Sequence, residues 1–229
     1  MKKLVVLTGA GISTESGIPT FRRAGGLWEG YDVMDVASPE GWERNMDLVL
    51  DFYNQRRKKA LEVKPNRAHE ILAALEADFD VQIVTQNVDN LHERAGSSRV
   101  LHLHGSLFES RSTIDPSLVY PIDGWQLNRG DLCEKGSQLR PHIVWFGELV
   151  PMMDTAIELT AQADIFLVVG TSLQVYPAAG LLHYTRRGIK KIIVDPNKPE
   201  MDLRGSDIEF VVEKAGVGME RVMSMLLPR

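Results

Sequence analysis

The stretch that decides the fold is residues 4–13, which read LVVLTGAGIS. Its apolar half is rich in β-branched side chains and predicts a buried strand, and the closely spaced glycines predict a phosphate-binding turn directly after it. Glycine has no Cβ to block a pyrophosphate, so backbone N–H groups can point at the anion. The dinucleotide-binding fingerprint carries a third glycine where this chain has Thr14, so a plain strand-to-helix turn is the alternative for this stretch alone.

The same kind of apolar run recurs along the chain and predicts a parallel sheet. Short runs follow at 81–84, 100–103, 165–169, 192–194 and 208–212. Helical patterns separate them, at roughly 39–59, 66–77, 152–161, 176–187 and 218–227. This alternation predicts an α/β fold, a Rossmann-like doubly wound parallel sheet that binds ligands at the carboxyl ends of its strands. Gly9, Gln86, His104 and Gly170 each come just after a predicted strand.

Two segments interrupt the alternation and predict a smaller inserted domain. Residues 22–64 begin as a glycine-rich loop and continue as a long helical pattern, and residues 106–140 carry prolines, glycines and only short apolar patches. We expect these two segments to form the small domain. The large domain is then expected to comprise residues 1–21, 65–105 and 141–229, with the active site in the cleft between the two domains.

Composition sets the general class of the protein. Its 229 residues suffice for a full hydrophobic core, and 44% apolar and 25% charged residues are ordinary globular values. A net charge of −5 gives no electrostatic footprint for nucleic acid or anionic membranes. No apolar run approaches the roughly 18 residues of a transmembrane helix, and residues 1–3 lead into a strand rather than a signal peptide. With Cys133 as its single cysteine the chain forms no intrachain disulfide, and we expect a cytoplasmic monomer without nucleic-acid or membrane partners.

Three further blocks accompany the opening turn. They read SGIPTFR at 16–22, TQNVD at 85–89 and LHG at 103–105. Together with residues 9–13 they resemble the signature blocks of the sirtuins, the NAD-dependent protein-lysine deacylases. The resemblance extends from residue 4 to about residue 216 and implies NAD as the cofactor and acyl-lysine proteins as the substrates.

The resemblance also implies where NAD would bind. The pyrophosphate would meet the backbone around Ala10, and Phe21 and Arg22 would close over the nicotinamide ribose. The nicotinamide amide would bind Asp89. An acidic Asp195, where relatives usually carry Asn, can accept hydrogen bonds from ribose hydroxyls and should disfavour NADP. The implied NAD-binding set is Gly9, Ala10, Gly11, Ser13, Ile18, Phe21, Arg22, Gln86, Asn87, Asp89, Gly170, Thr171, Ser172, Asp195 and Ala215.

The block at 85–89 and the histidines after it supply the candidate chemistry. A turn and a helix cap would explain Asn87 and Asp89 locally, but not four polar groups at one strand end. His102 and His104 point the same way from a strand, and no Cys or acidic companion at ligand spacing makes them a metal pair. A satisfied core histidine is the default for His102. His104 is the better candidate for a general base, because imidazole titrates near neutrality.

The resemblance gives these groups roles in one reaction. The acyl oxygen would attack C1′ of the ribose as nicotinamide leaves, and Asn87 would help to set the reactive conformer. His104 would then remove a proton from a ribose hydroxyl, so these two are the predicted catalytic residues. The implied products are free lysine, nicotinamide and O-acyl-ADP-ribose.

Residues 144–148 resemble the sirtuin segment that lines the acyl-lysine tunnel, and ordinary core is the alternative for them. Tyr53 and Arg56 are three apart and share a helix face, which resembles the sirtuins that remove succinyl and malonyl groups. A buried carboxylate needs a paired charge, which Arg56 can supply bidentately, and the small Ala24 leaves room for a longer acyl chain. A tyrosine at a core edge and an arginine on a solvated surface are the alternative. The implied substrate-binding set is Tyr53, Arg56, Ala24, Val144, Phe146, Gly147 and Val175.

One usual family feature is missing. Sirtuins typically hold the small domain with zinc bound to four cysteines, and a chain with Cys133 alone cannot form that site. We therefore predict no metal, and a small domain held by apolar side chains such as Leu107, Phe108, Leu118, Tyr120, Ile122, Trp125 and Leu127. Two other functions stay open: protein mono-ADP-ribosylation, and a non-catalytic NAD-binding regulatory module. The presence of Asn87, Asp89 and His104 favours deacylation.

Overall fold

The computed structural model describes residues 1–20, 27–28, 30–197 and 208–227. Its strands are β1 (Lys2–Thr8), β2 (Leu27–Trp28), β3 (Tyr31–Asp32), β4 (Phe79–Thr85), β5 (Val100–His102), β6 (Gly105–Ser112), β7 (Val119–Pro121), β8 (Leu139–Ile143), β9 (Ile165–Val169), β10 (Lys190–Val194) and β11 (Ile208–Val211). Its α-helices are α1 (Val33–Val36), α2 (Pro39–Arg44), α3 (Met46–Glu62), α4 (Arg67–Ala74), α5 (Leu91–Arg94), α6 (Met153–Ala161) and α7 (Ala215–Leu226). Short 3-10 helices cover Ala10–Ser16, Leu75–Ala77 and Ala178–Tyr184. No helix within the described ranges is both long enough and apolar enough to span a membrane.

A parallel sheet of six strands forms the larger part of the described molecule. Its order is β11-β10-β9-β1-β4-β5, and these are the strands that the apolar runs predict. Leu4 and Val6 of β1 enter a core that they share with α4 and α7. Val5 and Leu7 enter a second core, with α6 and the 3-10 helix Ala178–Tyr184. Helices on both faces of a parallel sheet confirm the predicted Rossmann-like α/β fold.

The strand order also fixes where a ligand can bind. From β1 the chain continues through β4 to β5 on one side, and it later passes through β9, β10 and β11 on the other. The connections that follow the neighbouring strands β1 and β9 therefore lead to opposite sides of the sheet. In open α/β sheets such a reversal of strand order opens the crevice in which ligands bind.

A smaller antiparallel sheet packs against α3. In it β6 pairs with both β7 and β8. Its apolar core includes Val36, Phe52, Tyr53, Leu107 and Trp145, so α3 supplies one wall of this core and the segment after β8 supplies another.

Two polar side chains of α3 fasten it to the small sheet and to the loop after β7; we call them the Arg57–Asn54 clamp. The fully buried Arg57 donates to the carbonyl oxygens of Leu107 and Trp125, the latter 2.7 Å from its Nη1. Asn54 Nδ2 donates to the Leu127 carbonyl at 3.0 Å, and its Oδ1 accepts from the Leu127 N–H at 2.9 Å. Of the apolar residues predicted to hold this region, Leu107 and Leu127 are buried, and the others are only partly so. The clamp therefore shares the role that the sequence assigns to apolar contacts.

The predicted helix at 39–59 is two helices in the structure. Asn45 separates α2 from α3, with backbone dihedrals of −152° and 78° that are not helical. Its side chain accepts from the Leu48 N–H at 3.1 Å and so caps α3. Asparagine competes with helical backbone in this way and favours a helix start over a helix interior.

The predicted helix at 176–187 is also shorter in the structure. Only the 3-10 helix Ala178–Tyr184 forms there. Pro177 disfavours helical backbone at the residue before it, and Gly180 weakens the helix that follows. The apolar spacing of this segment is therefore not enough to make a full α-helix.

Candidate active site

The turns that follow β1 and β9 touch each other backbone to backbone. The Gly9 N–H donates to the Val169 carbonyl at 3.1 Å, and the Gly11 N–H donates to the Gly170 carbonyl at 2.8 Å. A Cβ on Gly11 would lie 2.7 Å from the Gly170 Cα, and a Cβ on Gly170 would lie 2.2 Å from the Ile12 nitrogen. Gly170 also has a φ of 65°, which L side chains rarely adopt. Packing between the two turns therefore requires these glycines, independently of any anion that they bind.

A buried polar cluster joins the first turn to the end of β4. Asn87 Nδ2 donates to the Gly9 carbonyl and to Ser13 Oγ, each at 3.2 Å. The Ser13 hydroxyl donates to one oxygen of Asp89 at 3.1 Å, and the other oxygen accepts from the Leu91 N–H at 3.0 Å. Burial raises the pKa of Asp89, against the hydrogen bonds from Leu91 and Ser13. The opening turn and the block at 85–89 thus form one hydrogen-bonded unit.

His104 has the geometry of a general base. Its Nδ1 lies 3.0 Å from the Gln86 carbonyl oxygen. Because a carbonyl only accepts, this contact assigns the proton to Nδ1 and leaves the lone pair on Nε2. Burial lowers the pKa of His104, and the Gln86 carbonyl opposes that shift in part. The side chain lines the same cavity as Asn87 and Asp89, so a neutral imidazole borders the space open to a ligand.

His102, two residues earlier, does not line that cavity. Its Nδ1 lies 2.9 Å from the Asn87 carbonyl oxygen, and its Nε2 lies 2.7 Å from Glu93 Oε1. Burial works against its protonation, but the Glu93 carboxylate together with the Asn87 carbonyl outweighs burial and raises the pKa of His102. These contacts agree with the interpretation of His102 as a satisfied histidine that supports its neighbours.

One cavity of about 1200 Å³ brings the predicted site residues together. It is lined by every described member of the predicted NAD-binding set, by both predicted catalytic residues and by every described member of the substrate-binding set. These lining residues are Gly9, Ala10, Gly11, Ser13, Ile18, Tyr53, Arg56, Gln86, Asn87, Asp89, His104, Val144, Phe146, Gly147, Gly170, Thr171, Ser172, Val175, Asp195 and Ala215. Phe21, Arg22 and Ala24 lie outside the described residues. The individual roles assigned to all of these residues stay predictions.

The wall of the cavity built by α3 and residues 143–148 carries the predicted acyl-lysine residues. Tyr53 is 1% exposed, and its hydroxyl oxygen accepts from Trp145 Nε1 at 3.0 Å. Arg56 lines the cavity from the same helix face. The Val144 N–H donates to the carbonyl of His104 at 3.0 Å, so this wall begins beside the candidate base. Tyr53 belongs both to the small apolar core and to the cavity wall. Its position therefore suits a tyrosine at a core edge and a substrate-binding residue alike.

An ion cluster that no sequence pattern predicts holds the turn at 145–148. Glu148 accepts from Arg111 Nη2 at 3.0 and 3.1 Å, from Arg140 at 2.7 and 3.1 Å, and from the Trp145 N–H at 2.8 Å. The Arg140 guanidinium lies over the Trp145 ring, 3.2 Å from its centroid. Burial alone would raise the pKa of Glu148, but Arg140, the Trp145 N–H and Arg111 together lower it. We call these four residues the Glu148 cluster. Arg111 and Glu148 are 37 positions apart, so no local pattern could pair them.

Glu15 is a second lining residue that sequence reasoning missed. Its carboxylate accepts from the Gly216 N–H at 2.8 Å and ties the 3-10 helix Ala10–Ser16 to the start of α7. The two partners are 201 positions apart, so an acidic residue in the opening block gives no local signal for this contact.

The described residues include no group of three or more His, Cys, Asp or Glu side chains arranged to hold a metal ion. Cys133 is buried, with its Sγ 3.4 Å from Ser112 Oγ. The expectation of a protein without zinc stays a prediction.

Known proteins with similar sequences and structures identify the family. Residues 9–177 match the Sir2 family. The chain is 53% identical over 233 residues to an NAD-dependent protein deacylase of Bacteroides thetaiotaomicron, over 100% of this chain and 99% of that protein. It is 54% identical to an NAD-dependent protein deacylase of Helicobacter pylori strain 26695, over 99% of this chain and 98% of that protein.

Solved structures agree with the sequence match. A mutant Sir2 homologue in complex with ADP-ribose has a TM-score of 0.88 at 39% identity, over 97% of this chain and 90% of that one. A Sir2 complex with a p53 peptide and NAD+ has a TM-score of 0.79 at 33% identity, over 97% of this chain and 92% of that one. With its strand-end turns, its buried Asn87–Asp89 cluster and this similarity over nearly its whole length, the chain belongs to the Sir2 family, the sirtuins.

Proposed function

We propose that this protein is an NAD-dependent protein-lysine deacylase that removes succinyl and malonyl groups as well as acetyl groups. The observation that carries the proposal is the shared cavity. A neutral His104 and the cluster of Asn87 and Asp89 border it on the sheet side, and Tyr53 and Arg56 border it on the side of α3. The first group suits the chemistry at the ribose, and the second suits an acyl chain that ends in a carboxylate.

The relatives support the reaction class. The proteins of Bacteroides thetaiotaomicron and Helicobacter pylori carry the name NAD-dependent protein deacylase, and both align with almost all of this chain. Solved relatives hold ADP-ribose, NAD, or a p53 peptide together with NAD+. These names leave the acyl group open, so the choice of acyl group is argued from the residues of this chain.

The residues present fit NAD. Gly9, Gly11 and Gly170 line the cavity without side chains, so a pyrophosphate can come close to the backbone of both turns. The N–H groups of these three glycines are bonded to carbonyl oxygens, so their neighbours in the turns would supply the donors. Asp195, at the end of β10, places a carboxylate on the cavity wall, where it can accept from ribose hydroxyls. When bound, NAD supplies a ribose carbon that accepts the acyl oxygen as nicotinamide departs.

Asn87 and His104 supply the groups that act on the substrate. Both amide hydrogens of Asn87 are used by the Gly9 carbonyl and Ser13 Oγ, so its Oδ1 is the atom left to orient a ligand. His104 accepts a hydroxyl proton at Nε2, and the Gln86 carbonyl holds the resulting imidazolium at Nδ1. Since the base must be neutral, activity should persist as the pH falls until it reaches the lowered pKa of His104.

Tyr53 and Arg56 favour an acidic acyl chain. A carboxylate that enters the cavity loses hydration, and a paired cation must offset that cost. Arg56 offers a planar guanidinium that can bind both oxygens, and the hydroxyl of Tyr53 can add a third hydrogen bond. An acetyl group has no charge to satisfy, so it gains nothing from this pair.

The deciding experiment incubates the protein with NAD and matched acetyl-, succinyl-, malonyl- and unmodified lysine peptides, and identifies the products by mass. A deacylase releases nicotinamide only with acylated peptide and forms an acylated ADP-ribose. Transfer of ADP-ribose to protein or to unmodified peptide would instead show the mono-ADP-ribosyltransferase. Absence of nicotinamide release with every peptide would support the non-catalytic NAD-binding module.

Arg56→Met tests the choice of acyl group. We expect it to lower kcat/KM for succinyl-lysine about 10- to 150-fold more than for acetyl-lysine, the value of a charge-assisted bidentate pair. Lys58→Met is the matched control, because Lys58 loses the same charge from an exposed position of the same helix that does not line the cavity. Equal losses on both substrates would mean that Arg56 is structural and that the acidic-acyl assignment is wrong.

A further inference from the structure

The Tyr53 hydroxyl is held in one chemical state. Burial, opposed in part by the charge of Arg56, raises the pKa of Tyr53 to about 12. The group is therefore a neutral O–H at any physiological pH. It has one proton to donate and lone pairs with which to accept.

Trp145 decides which way that proton points. An indole N–H is a donor only, and Trp145 Nε1 donates to the Tyr53 oxygen at 3.0 Å. The hydroxyl proton must then turn away from Trp145. The charged groups that act on Tyr53 are Arg56 and Arg140, which are donors as well, and Glu148. The Glu148 carboxylate accepts from Arg111, Arg140 and the Trp145 N–H, and no described residue accepts the Tyr53 proton. Because Tyr53 borders the cavity, the proton is left for an acceptor inside it.

The Glu148 cluster keeps Trp145 in place. The indole is 2% exposed, and the guanidinium of Arg140 is stacked on its face. The Glu148 carboxylate accepts from Nη1 and Nη2 of Arg140. It also accepts from the backbone N–H of Trp145. A rotation of the ring would give up its stacking on Arg140 and its bond to Tyr53, so the packed structure favours one direction of its N–H.

We propose that Trp145 is a positioning residue for acyl selectivity, which turns the Tyr53 hydroxyl so that its proton meets the carboxylate of an acidic acyl chain. The inference rests on the proposed function, because it needs a carboxylate as the acceptor. It adds a residue outside the predicted substrate-binding set, a second residue of the cavity wall whose N–H influences selectivity through the Tyr53 hydroxyl.

The test is a double-mutant cycle of Tyr53→Phe and Trp145→Phe, with kcat and KM measured for succinyl- and acetyl-lysine peptides. Tyr53→Phe removes the hydroxyl and should lower the succinyl-to-acetyl ratio of kcat/KM about 10-fold, mainly through KM for the succinyl peptide. Trp145→Phe keeps one aromatic ring but removes the N–H together with part of the indole volume, and it should lower the same ratio about 3- to 10-fold. The double variant should match Tyr53→Phe, since Trp145 acts only through that hydroxyl.

Trp42→Phe is the matched control. Its ring packs on Trp145 with centroids 5.8 Å apart, but it makes no contact with the Tyr53 hydroxyl. We expect this variant to keep the wild-type ratio. If Trp145→Phe does not fold, replacing the indole of Trp145 by benzothiophene keeps its shape without the N–H, and the same loss of ratio is expected.

Two outcomes overturn the inference. Losses for Trp145 and Tyr53 that multiply in the double variant, or equal losses on both peptides, would show that Trp145 is structural only. Arg56→Met separates this failure from a failure of the proposed function. If Arg56→Met also leaves the succinyl-to-acetyl ratio unchanged, the acidic-acyl assignment itself is wrong. If Arg56→Met lowers that ratio, only the role proposed for Trp145 is wrong.

Discussion

The core of the six-stranded sheet and the core of the small sheet bury different kinds of side chain. Every residue of β9 is buried and apolar, and both faces of β1 pack on apolar helix residues. Beside the apolar residues of the small core lie two almost fully buried arginines, Arg57 and Arg140. Arg57 is held by carbonyl oxygens and Arg140 by the carboxylate of Glu148.

The difference has a physical consequence for each region. An apolar core tolerates volume-conserving exchanges, because no single contact in it is directional. A buried polar group that loses its partners lowers stability strongly, so a core of this kind favours one arrangement of its hydrogen bonds. The strands that lead to His104 belong to the first kind of core, and only their ends carry buried polar groups such as Asn87 and Asp89. The wall that carries Tyr53 belongs to the second kind. We therefore expect the rate to depend on single groups at the sheet edge, and acyl selectivity to depend on a network.

The largest effect should come from the sheet edge. His104→Ala removes the proposed base and should lower kcat about 10²- to 10⁴-fold for every acyl group, with NAD affinity nearly unchanged. Turnover by mass spectrometry and NAD binding by calorimetry check both halves of this statement. His183→Ala, which removes an exposed imidazole elsewhere on the sheet domain, should behave like wild type. Near wild-type turnover of His104→Ala would remove His104 from the mechanism.

The next largest effect should come from the Arg57–Asn54 clamp. Arg57→Met leaves the carbonyl oxygens of Leu107 and Trp125 buried without a donor, and we expect a loss of about 3 kcal/mol in unfolding free energy. Hydrogen exchange should show the loss first in the amides of β6 and β8. Lys58→Met gives up only an exposed contact of its ammonium with the Trp125 ring, so it should lower stability by less than about 1 kcal/mol. If the two variants are equally stable, the apolar contacts alone hold the small sheet.

A smaller effect is expected in acid, which should lower the unfolding free energy through His69 and leave the Glu148 cluster charged. Burial lowers the pKa of His69 to about 4 from its usual value of 6.5, so the unfolded chain binds a proton between these values that the folded chain refuses. Stability is therefore complete above pH 6.5 and falls as the pH drops toward 4. Glu148, whose pKa its partners lower, keeps its charge over that range and leaves the Glu148 cluster intact.

His69→Gln tests this assignment. His69 accepts the Asn66 N–H in a capping box, a place where glutamine can do the same without titrating. The loss of unfolding free energy between pH 7 and 4.5, measured by denaturant titration, should be about 2 kcal/mol smaller in the variant. An unchanged loss would place the acid sensitivity in other groups.

The last prediction is that removal of metal ions has no effect on stability. With one cysteine in the chain and the small sheet held by the clamp and the Glu148 cluster, chelators should leave the melting temperature unchanged. Elemental analysis of the purified protein should find no stoichiometric zinc. One zinc per chain would show that a metal takes part in holding the small sheet after all.

The sequence predicts the large region far better than the small one. The strands of the six-stranded sheet are continuous apolar runs, because both of their faces are covered, and such runs are visible without any partner. The helix pattern at 39–59 was harder, since one capping residue, Asn45, divides a periodic segment. The strands of the small sheet are short and partly exposed, so residues 106–140 gave only weak patterns.

The candidate site divides in the same way. Residues at strand ends, such as Gln86 and His104, are predictable because the fold collects strand ends at one edge. The hydrogen bond between Trp145 and Tyr53 joins residues 92 positions apart, so no local sequence pattern predicts it. The domain limits, the monomeric state, the cytoplasmic location and the absence of zinc stay predictions.

The two hydrogen bonds that anchor residues 144–146 hold this span at a fixed distance from two parts of the site. The Val144 N–H is bonded to the carbonyl of His104, and the Phe146 N–H is bonded to the carbonyl of Ala37. One end of this short span is therefore fixed to the base and the other to the small region. Under the proposed function, these two bonds set the distance between the base and the wall that holds the acyl chain. We expect that lengthening or shortening the span by one residue would change this distance and redirect activity toward acyl chains of another length.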